Sequence, residues 1–454
     1  MIRRPLALAL LLALVPAAAS AEDLLQTYEL ARSSDPALAI SESNRDISHE
    51  GRVQARAALL PQINGSASLN RSYAAGVDGD ARRRSVGVDL SQTVFDLGAI
   101  SNLRAQKDLD TAAGFDLDAA NHQLITRTSA AYFNVLVAIE TLAAAEAAEA
   151  ALQKQFDFAD KRLEVGLAPI TDVHEARAQY DAARANTILS RNALEDAYQA
   201  LAEITGRPVR ELRALPEDFQ PEVPEGAGLD GWLATAMENN PSLRAAEYSV
   251  NAAEHGVTTA RSGHLPRLSL GAGYDNGAAW GDIGQGGVGG TSTGEGHSVG
   301  LTLTVPIFSG GATQSQVRQA LSRRDISEQQ FEQARRALDR NTRNAYQTVV
   351  AGVSEIEARR QALISARSAY EASQVGLEVG TRTVVDVLIN QQNLFNAERE
   401  YALARYNFLQ NRLLLAQAAG TLGIADVQEI NRLLTVDAAT PPTGPGTGSN
   451  GSNG

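Results

Sequence analysis

Apolar residues recur every seven positions along the C-terminal part of the chain. One column consists of Val387, Leu394, Tyr401, Phe408 and Leu415, and the adjoining column consists of Leu388, Phe395, Ala402, Leu409 and Ala416. Heptad spacing is typical of a helix that packs in a coiled-coil manner, and two adjoining columns indicate more than one packing neighbour. The pattern predicts a long helix that begins near Thr383 and runs to Gly420.

The same design occurs earlier, which indicates an internal duplication. The segment Leu163–Gly166 recurs 214 residues later as Leu377–Gly380. An earlier apolar column, the counterpart of the one that starts at Val387, consists of Val173, Tyr180, Thr187, Leu194 and Leu201. We therefore expect two structural repeats, residues 22–206 and 229–425. The connector, residues 207–228, contains four prolines and is expected to cross outside the helices.

Each repeat contains two segments in which apolar and polar residues alternate, a pattern that predicts β-strands. Their apolar positions are Ile63, Ala67, Leu69 and Tyr73; Val86, Val88, Leu90 and Val94; Leu268, Leu270, Ala272 and Tyr274; and Val299, Leu301, Leu303, Val305 and Ile307. We expect strands of about 9 to 11 residues, the length that a tilted membrane-spanning strand needs. Residues 74–84 and 275–297, rich in glycine and polar residues, are expected to be loops.

Two interpretations of these strands are open: a half-buried antiparallel sheet in a soluble protein, or part of a membrane β-barrel. Four strands cannot close a barrel, and an open sheet edge in lipid would leave backbone groups without hydrogen-bond partners. A membrane barrel would therefore need strands from several chains. The second interpretation is favoured by the N-terminal segment, described below, which predicts export from the cytoplasm.

Proline and glycine mark the helix boundaries. From Ala99 to Val165 the single glycine is Gly114 and there is no proline. One helix over this stretch would be roughly 100 Å long at 1.5 Å per residue. Asp96 and Ser309, where strand passes into helix, are suited to cap the two longest helices. Gly166 and Gly380 are expected to end those helices in the left-handed conformation, with return helices starting near Thr171 and Thr383.

Residues 1–21 have the features of a secretory signal: Arg3 and Arg4, a short apolar run, and a small-residue cleavage site. Removing them takes the formal net charge from −13 to −15, so nucleic acid is not an expected partner. No later stretch is apolar enough for a membrane-spanning helix. Residues 437–454 are rich in Gly, Pro, Ser, Thr and Asn and are expected to be disordered.

Little in the sequence points to catalysis or to a bound cofactor. There is no cysteine, which excludes disulfides and thiolate metal sites. The six histidines lack the spacing of a helical zinc site. No nucleophile, base and orienting group can be placed together, so we expect neither an enzyme nor a metal or cofactor. The remaining functional classes are a membrane conduit and a soluble periplasmic coiled-coil adaptor or scaffold.

Two segments at equivalent positions of the repeats carry a family resemblance. Residues 165–173 (VGLAPITDV), followed by 176–181 (ARAQYD), and residues 379–388 (VGTRTVVDVL) resemble the TolC family of outer-membrane channel proteins. The resemblance extends over nearly all of residues 22–425. It implies a mainly α-helical homotrimer with four strands per chain in a 12-stranded outer-membrane barrel, continued by a periplasmic helical tunnel.

The resemblance also implies partners. Such channels are passive exit ducts of multidrug efflux pumps and type I secretion systems. A periplasmic adaptor, or membrane fusion protein, docks on the tunnel's tip. An inner-membrane transporter of the RND, ABC or MFS type supplies the energy.

Specific residues acquire roles from the same resemblance. Arg382, Asp172 and Thr171 correspond to the network that closes the tunnel entrance, and Asp386 to an aspartate ring at the constriction. The adaptor would dock on the turns Val165, Gly166 and Leu167, and Val379, Gly380 and Thr381. The chain has Leu377 where the best-known member of the family has a tyrosine of the closing network, and Ile389 where that member has a second aspartate ring. Helix capping is an alternative role for Asp172 and Asp386.

Overall fold

The structure is a computed structural model of the chain, and it describes residues 22–73, 80–167, 169–216, 218–222, 228–282 and 289–438. The expected signal segment 1–21 lies outside these residues. The chain divides into two compact units. The first is formed by the described parts of residues 1–38, 120–240 and 339–454, and the second by those of 39–119 and 241–338.

Helices make up most of the described chain. They are α1 (Leu24–Ser34), α2 (Pro36–Ala57), α3 (Leu97–Glu164), α4 (Ile170–Thr205), α5 (Gly228–Asn239), α6 (Pro241–Arg261), α7 (Ala312–Glu378), α8 (Val384–Ala419) and α9 (Ile424–Leu433). The strands are β1 (Gln62–Tyr73), β2 (Asp80–Phe95), β3 (Arg213–Ala214), β4 (Arg267–Asp282), β5 (Gly289–Thr304) and β6 (Val436–Asp437). None of the described helices combines the length and the apolar character needed to cross a membrane.

The duplication predicted from the sequence is confirmed by the order and length of the elements. Each repeat consists of two helices, two long strands, one very long helix and one return helix. The very long helices α3 and α7 have 68 and 67 residues, and the return helices α4 and α8 both have 36. The helix predicted between Ala99 and Val165 is therefore present as one uninterrupted element.

The heptad columns form the packed faces of the return helices. In α8, all five residues of the column from Val387 to Leu415 are buried. In α4, the column from Val173 to Leu201 is buried except at Tyr180, which is half-buried. Phe156 of α3 stacks on that tyrosine ring, with 6.3 Å between the ring centroids. The sequence period thus identified the core of the first unit.

Helix ends agree with the predictions at most positions. Gly166 and Gly380 have φ angles of 73° and 76°, in the left-handed region where a side chain is unfavourable. Asp96 Oδ1 accepts hydrogen bonds from the amides of Gly98 and Ala99 and so caps α3. The prediction for Ser309 was wrong. Helix α7 begins at Ala312, and the Ser309 hydroxyl instead lies 3.3 Å from that of Thr313.

The connector, predicted to cross outside the helices, is held against them by apolar contacts. Its apolar side chains Val209, Leu212, Leu215 and Phe219 are buried. The Phe219 ring lies 6.3 Å from the ring of Phe408 in α8. Four apolar side chains gain more free energy by covering the helices than by facing water, so the connector packs on the bundle.

The tail prediction was wrong at its start. Val436 and Asp437 form β6, which pairs with β3 of the connector, and the amide of Ala438 donates a hydrogen bond to the carbonyl of Leu212. Backbone pairing orders these residues although their side chains carry no apolar pattern. Residues 439–454 lie outside the described part of the chain.

The second unit contains an antiparallel sheet with the strand order β1-β2-β4-β5. Strand β1 has 12 residues and β2, β4 and β5 have 16 each, so the predicted lengths of 9 to 11 were too short. The predicted loops 74–84 and 275–297 were correspondingly too long, since β2 begins at Asp80, β4 extends to Asp282 and β5 begins at Gly289. Backbone hydrogen bonds continue the ladder through segments whose side chains are small or polar.

Candidate functional site

The candidate site is formed by the two turns of the first unit, one between α3 and α4 and the other between α7 and α8. In the first turn, the amide of Gly166 donates to the carbonyl of Leu163 and the amide of Leu167 to that of Arg162. The Arg162 guanidinium returns a hydrogen bond to the Leu167 carbonyl at 3.3 Å. These bonds satisfy carbonyls that the helix end leaves without partners, so the turn is a defined structure.

The second turn is built on the carbonyl of Gly376. It accepts hydrogen bonds from the Thr381 amide at 2.8 Å, the Arg382 amide at 3.0 Å and the Thr381 hydroxyl at 3.1 Å. A Cβ at Gly376 would lie 2.6 Å from Cγ of Arg382 and 3.2 Å from its Cβ. The absence of a side chain at Gly376 therefore lets the stem of Arg382 pack against α7. The sequence pattern missed this role.

Helix α8 begins in a capping box. Thr383 is the N-cap, and the Asp386 amide donates to its hydroxyl while the Asp386 carboxylate accepts from the Thr383 amide at 2.9 Å. The backbone hydrogen bond from Thr383, its hydroxyl and the charge of Arg382 lower the pKa of Asp386 below its ordinary value. The favourable effect of the ionised carboxylate is complete near neutral pH and is lost as the pH falls through this lowered pKa.

Asp172 does not cap its helix, so the capping alternative is wrong for this residue. The N-cap of α4 is Pro169, which has no side-chain hydrogen bond, and Asp172 lies in the first turn. Its carboxylate accepts a hydrogen bond from the neighbouring Thr171 hydroxyl at 3.4 Å. The carboxylate is exposed and remains available for a further partner.

Arg382 and Asp172 line the same cavity of about 420 Å³ between the two turns. Its other lining residues are Gln155, Phe158, Ala159, Arg162, Glu175, Ala176, Leu377, Thr383, Val385 and Leu388. Within the described chain, no ion pair shorter than 4.0 Å joins Arg382 to Asp172. The structure thus brings the two charges to one cavity without pairing them directly. Thr171 is not among the lining residues, but its hydroxyl is hydrogen-bonded to Asp172.

Both turns expose apolar side chains. Val165 and Val379, at equivalent positions of the two repeats, are each 67% exposed, and Leu167 is 68% exposed. Large apolar side chains at two matching turns are unusual on a surface that contacts only water. The two turns therefore present similar apolar surfaces.

A buried polar cluster, which sequence reasoning did not find, joins α3, α8 and the connector. Arg405 is 5% exposed, and its guanidinium donates to both carboxylate oxygens of Glu140, at 3.2 and 3.3 Å, and to the carbonyl of Pro216 at 3.1 Å. The Tyr406 hydroxyl donates to the same carboxylate, and burial raises the pKa of this tyrosine. In the sequence, Arg405 stands between Ala402 and Leu409 of an apolar column. A charged residue at that place was the signal that could have indicated the cluster.

Comparisons with known proteins agree with this architecture. A family model described as "Outer membrane efflux protein" matches residues 27–207 and 232–421. The chain is 36% identical to the outer membrane protein TolC of Escherichia coli strain K12, an alignment that covers 93% of this chain and 87% of that protein. It is 28% identical to the alkaline protease secretion protein AprF of Pseudomonas aeruginosa, over 89% of this chain and 86% of that protein.

The fold has also been seen in solved structures. The Campylobacter jejuni CmeC outer membrane channel superimposes with a TM-score of 0.76 at 20% identity, over 91% of this chain and 90% of that one. The family model covers more than half of the chain, in two parts that correspond to the two repeats. The chain therefore belongs to the outer membrane efflux protein family.

Proposed function

We propose that three copies of this chain form a passive exit duct, with twelve strands closing one barrel in the outer membrane and the long helices forming a periplasmic tunnel. The protein is an outer-membrane channel that serves efflux or type I secretion. This localisation is at variance with the alternative of a soluble periplasmic scaffold. Trimer assembly and gating are the further steps proposed here.

The observation that carries the proposal is the exposed apolar face of the four-stranded sheet. Val299, Leu301 and Leu303 of β5 are 81%, 64% and 62% exposed, and Leu69 of β1 is 72% exposed. Among the strands that the structure describes, β1 and β5 are the outer ones, and each has one edge without a partner strand. Lipid would cover the apolar face, and strands of neighbouring chains would satisfy the edges.

Fractionation tests this proposal. The channel is expected in the outer-membrane fraction, where it migrates as a trimer on a gel when the sample is not heated and as a monomer after boiling. The ionic detergent of the gel should not separate the chains at room temperature, because strands of neighbouring chains are hydrogen-bonded to each other. Recovery in the soluble periplasmic fraction would contradict the duct.

The exposed turns are proposed as the surface for a periplasmic adaptor. Val165, Gly166 and Leu167 on one side and Val379, Gly380 and Thr381 on the other present similar apolar surfaces, which would suit a partner with a repeated binding element. A helical hairpin of the adaptor has the apolar stripe needed to cover them. The adaptor would connect the duct to an inner-membrane transporter, of the RND, ABC or MFS type.

Arg382, Asp172 and Thr171 are proposed to hold the duct closed. The guanidinium faces the same cavity as the carboxylate, and a small approach of the two turns would allow a charge-assisted hydrogen bond. The Thr171 hydroxyl, already bonded to Asp172, would orient the carboxylate. Three copies of the half-buried Asp386 would form a ring of negative charge at the constriction, which favours cations.

Arg382→Ser is expected to raise the open probability in planar bilayers about tenfold. Loss of one charge-assisted hydrogen bond per chain, about 0.5 kcal/mol each at an exposed site and so about 1.5 kcal/mol for three chains, would favour the open state. Single-channel recording of variant and unmodified protein gives the comparison. An unchanged open probability would mean that Arg382 does not help to hold the duct closed.

Asp386→Ala is expected to weaken block by divalent cations from the periplasmic side. Removing three carboxylates from one ring removes most of the attraction for a doubly charged ion. The concentration of Mg²⁺ that halves the current should rise about tenfold, because opposite charges attract each other strongly at a site that water screens only partly. Equal block of both channels would place the negative ring elsewhere.

Gly376→Ala is expected to open the duct without removing a charge. The added Cβ would displace the stem of Arg382, because their separation of 2.6 Å is shorter than real Cβ contacts. Open probability should rise by a factor similar to that of Arg382→Ser, and combining the two substitutions should add little. Gly114→Ala in α3 is the matched control, since a Cβ there would contact nothing within 4 Å. Full additivity of the two tip substitutions would contradict this role of Gly376.

A further inference from the structure

The register of the sheet places three arginines on its apolar face, near the hairpin end of β1 and β2. Residues directly opposite each other in an antiparallel pair lie on the same face. Leu69 pairs with Arg84, and Arg71 pairs with Arg82. The same face of these two strands carries Ile63, Ala67, Val86, Val88 and Leu90. Arg71 comes after the apolar residues of β1, and Arg82 and Arg84 come before those of β2, so all three arginines lie at the hairpin end. The positive charge is thus confined to one end of the apolar face.

Aromatic residues adjoin the arginines. Trp280 of β4 lies opposite Arg82. The Arg71 guanidinium lies 4.9 Å from the centroid of the Tyr73 ring. Membrane proteins carry aromatic residues at the level of the lipid headgroups, where one end of the ring is in contact with apolar chains and the other with polar groups. Trp280 is therefore level with Arg71 and Arg82, and Tyr73 lies one residue pair beyond them on the same face, so the aromatic residues and the arginines share the end of the face where lipid headgroups are expected.

We propose that Arg71, Arg82 and Arg84 bind the phosphate groups of an anionic lipid in the outer leaflet of the outer membrane. The inference rests on the proposed barrel, in which the apolar face of the sheet contacts lipid. Arginine suits this ligand because its planar guanidinium donates two parallel hydrogen bonds to a phosphate. Each guanidinium has five N–H donors, so it can bind a phosphate in addition to a neighbour within the chain.

The charge pattern favours a lipid headgroup over a solute in the lumen. Arg83 pairs with Asn70, and the alternation of the strand places it on the opposite, polar face together with Ser85 and Asp89. The fourth arginine of this hairpin end is therefore separated from the other three by the thickness of the sheet.

The experiment measures lipid binding to the purified trimer in a non-ionic detergent. Native mass spectrometry counts bound lipid A, which carries two phosphates, and compares it with an uncharged glycolipid of similar acyl content. The triple variant R71Q/R82Q/R84Q is expected to bind lipid A on the order of 100-fold more weakly, since each arginine near an anionic lipid surface contributes about a factor of five. R83Q is the matched control, expected to stay within about twofold of the unmodified protein.

Several outcomes would overturn the proposal. They are equal binding of lipid A and the uncharged glycolipid by the unmodified trimer, an equal loss in R83Q, or displacement of lipid A by millimolar inorganic phosphate, which would indicate a site for the free anion. If the triple variant does not assemble, R71K/R82K/R84K keeps the charge without the planar fork and should bind several-fold more weakly; unchanged binding would contradict recognition by guanidinium. Failure of the proposed duct would be recognised separately, because the unmodified protein would then give no trimer on a gel of unheated sample.

Discussion

Gly420→Ala is expected to lower the free energy of unfolding of the first unit by about 4 kcal/mol or more, the range reached when a substitution forces the backbone to move. Gly420 ends α8 with a φ angle of 73°, and a Cβ there would lie 2.4 Å from the carbonyl oxygen of Asn239 and 2.7 Å from the amide nitrogen of Asn240. Backbone atoms cannot rotate away as a flexible side chain can. The substitution would therefore separate the end of α5 from the end of α8.

Equivalent glycines provide graded controls for this prediction. Gly206 has the same role at the end of α4, but a Cβ there would meet the Ser34 side chain, with Cβ of Ser34 at 2.9 Å. Gly166 has a φ angle of 73°, and a Cβ there would contact nothing within 4 Å. Its change to alanine should cost only the strain of the left-handed conformation, about 1–2 kcal/mol.

Hydrogen exchange checks the order of these effects. In Gly420→Ala, the amides of the last two turns of α8 should exchange much faster than in the unmodified protein. In Gly206→Ala, the amides of the last turns of α4 should exchange moderately faster, and in Gly166→Ala the amides near residue 166 should exchange only a little faster. Similar protection in all three variants would contradict the argument. It would mean that the left-handed φ angle, and not the close approach of the backbone, determines the cost.

Glu140→Ala is expected to destabilise the first unit by about 3 kcal/mol, because it leaves a buried guanidinium without its carboxylate. Arg405 would retain the Pro216 carbonyl but lose two hydrogen bonds, and Tyr406 would lose its acceptor. The connector should also loosen, since its Leu215 amide is bonded to the Tyr406 hydroxyl. Protease cleavage within residues 207–222 would report this loosening.

An exposed ion pair serves as the control. Arg191 of α4 and Glu146 of α3 are 2.7 Å apart, but the arginine side chain is 61% exposed, so Glu146→Ala should cost less than about 1 kcal/mol. The double variant Glu140→Leu with Arg405→Met should recover much of the stability lost in Glu140→Ala, because no buried charge remains. Equal cleavage of the Glu140→Ala and Glu146→Ala variants would show that burial of Arg405 is not the determining factor.

The sequence predicted those parts of the fold that depend on a repeated local pattern. Burial of Val387, Leu394 and Tyr401 follows from a seven-residue period, and the left-handed turns at Gly166 and Gly380 follow from the property of one residue type. The family resemblance brought Arg382 and Asp172 together, and the structure places both at one cavity. The proposal that they close a duct remains a prediction.

The missed features depend on contacts between distant residues. Glu140 and Arg405 are 265 positions apart, and neither has a local pattern that indicates the other. The packing of the connector depends on single apolar residues without a period, such as Leu212 and Phe219. The extra length of β4 and β5 comes from backbone pairing through Gly277 and Gly294, which the side-chain alternation does not show.

The proposal that strands of different chains complete one barrel can be tested by disulfide cross-linking, because the chain contains no cysteine. Strands β1 and β5 are the outer strands of the sheet, separated within one chain by roughly 14 Å, or three strand spacings. A disulfide needs Cα atoms within about 7 Å, so cysteines on these strands cannot bond within a chain.

The decisive measurement combines Ser66→Cys in β1 in turn with Ser298→Cys, Gly300→Cys or Thr302→Cys in β5, followed by oxidation in isolated outer membranes. At least one pair is expected to give covalent dimers and trimers on a non-reducing gel, with no larger species and with each single-cysteine variant giving no trimers. Monomers alone for all three pairs, with the protein present in the outer membrane, would contradict a shared barrel of three chains.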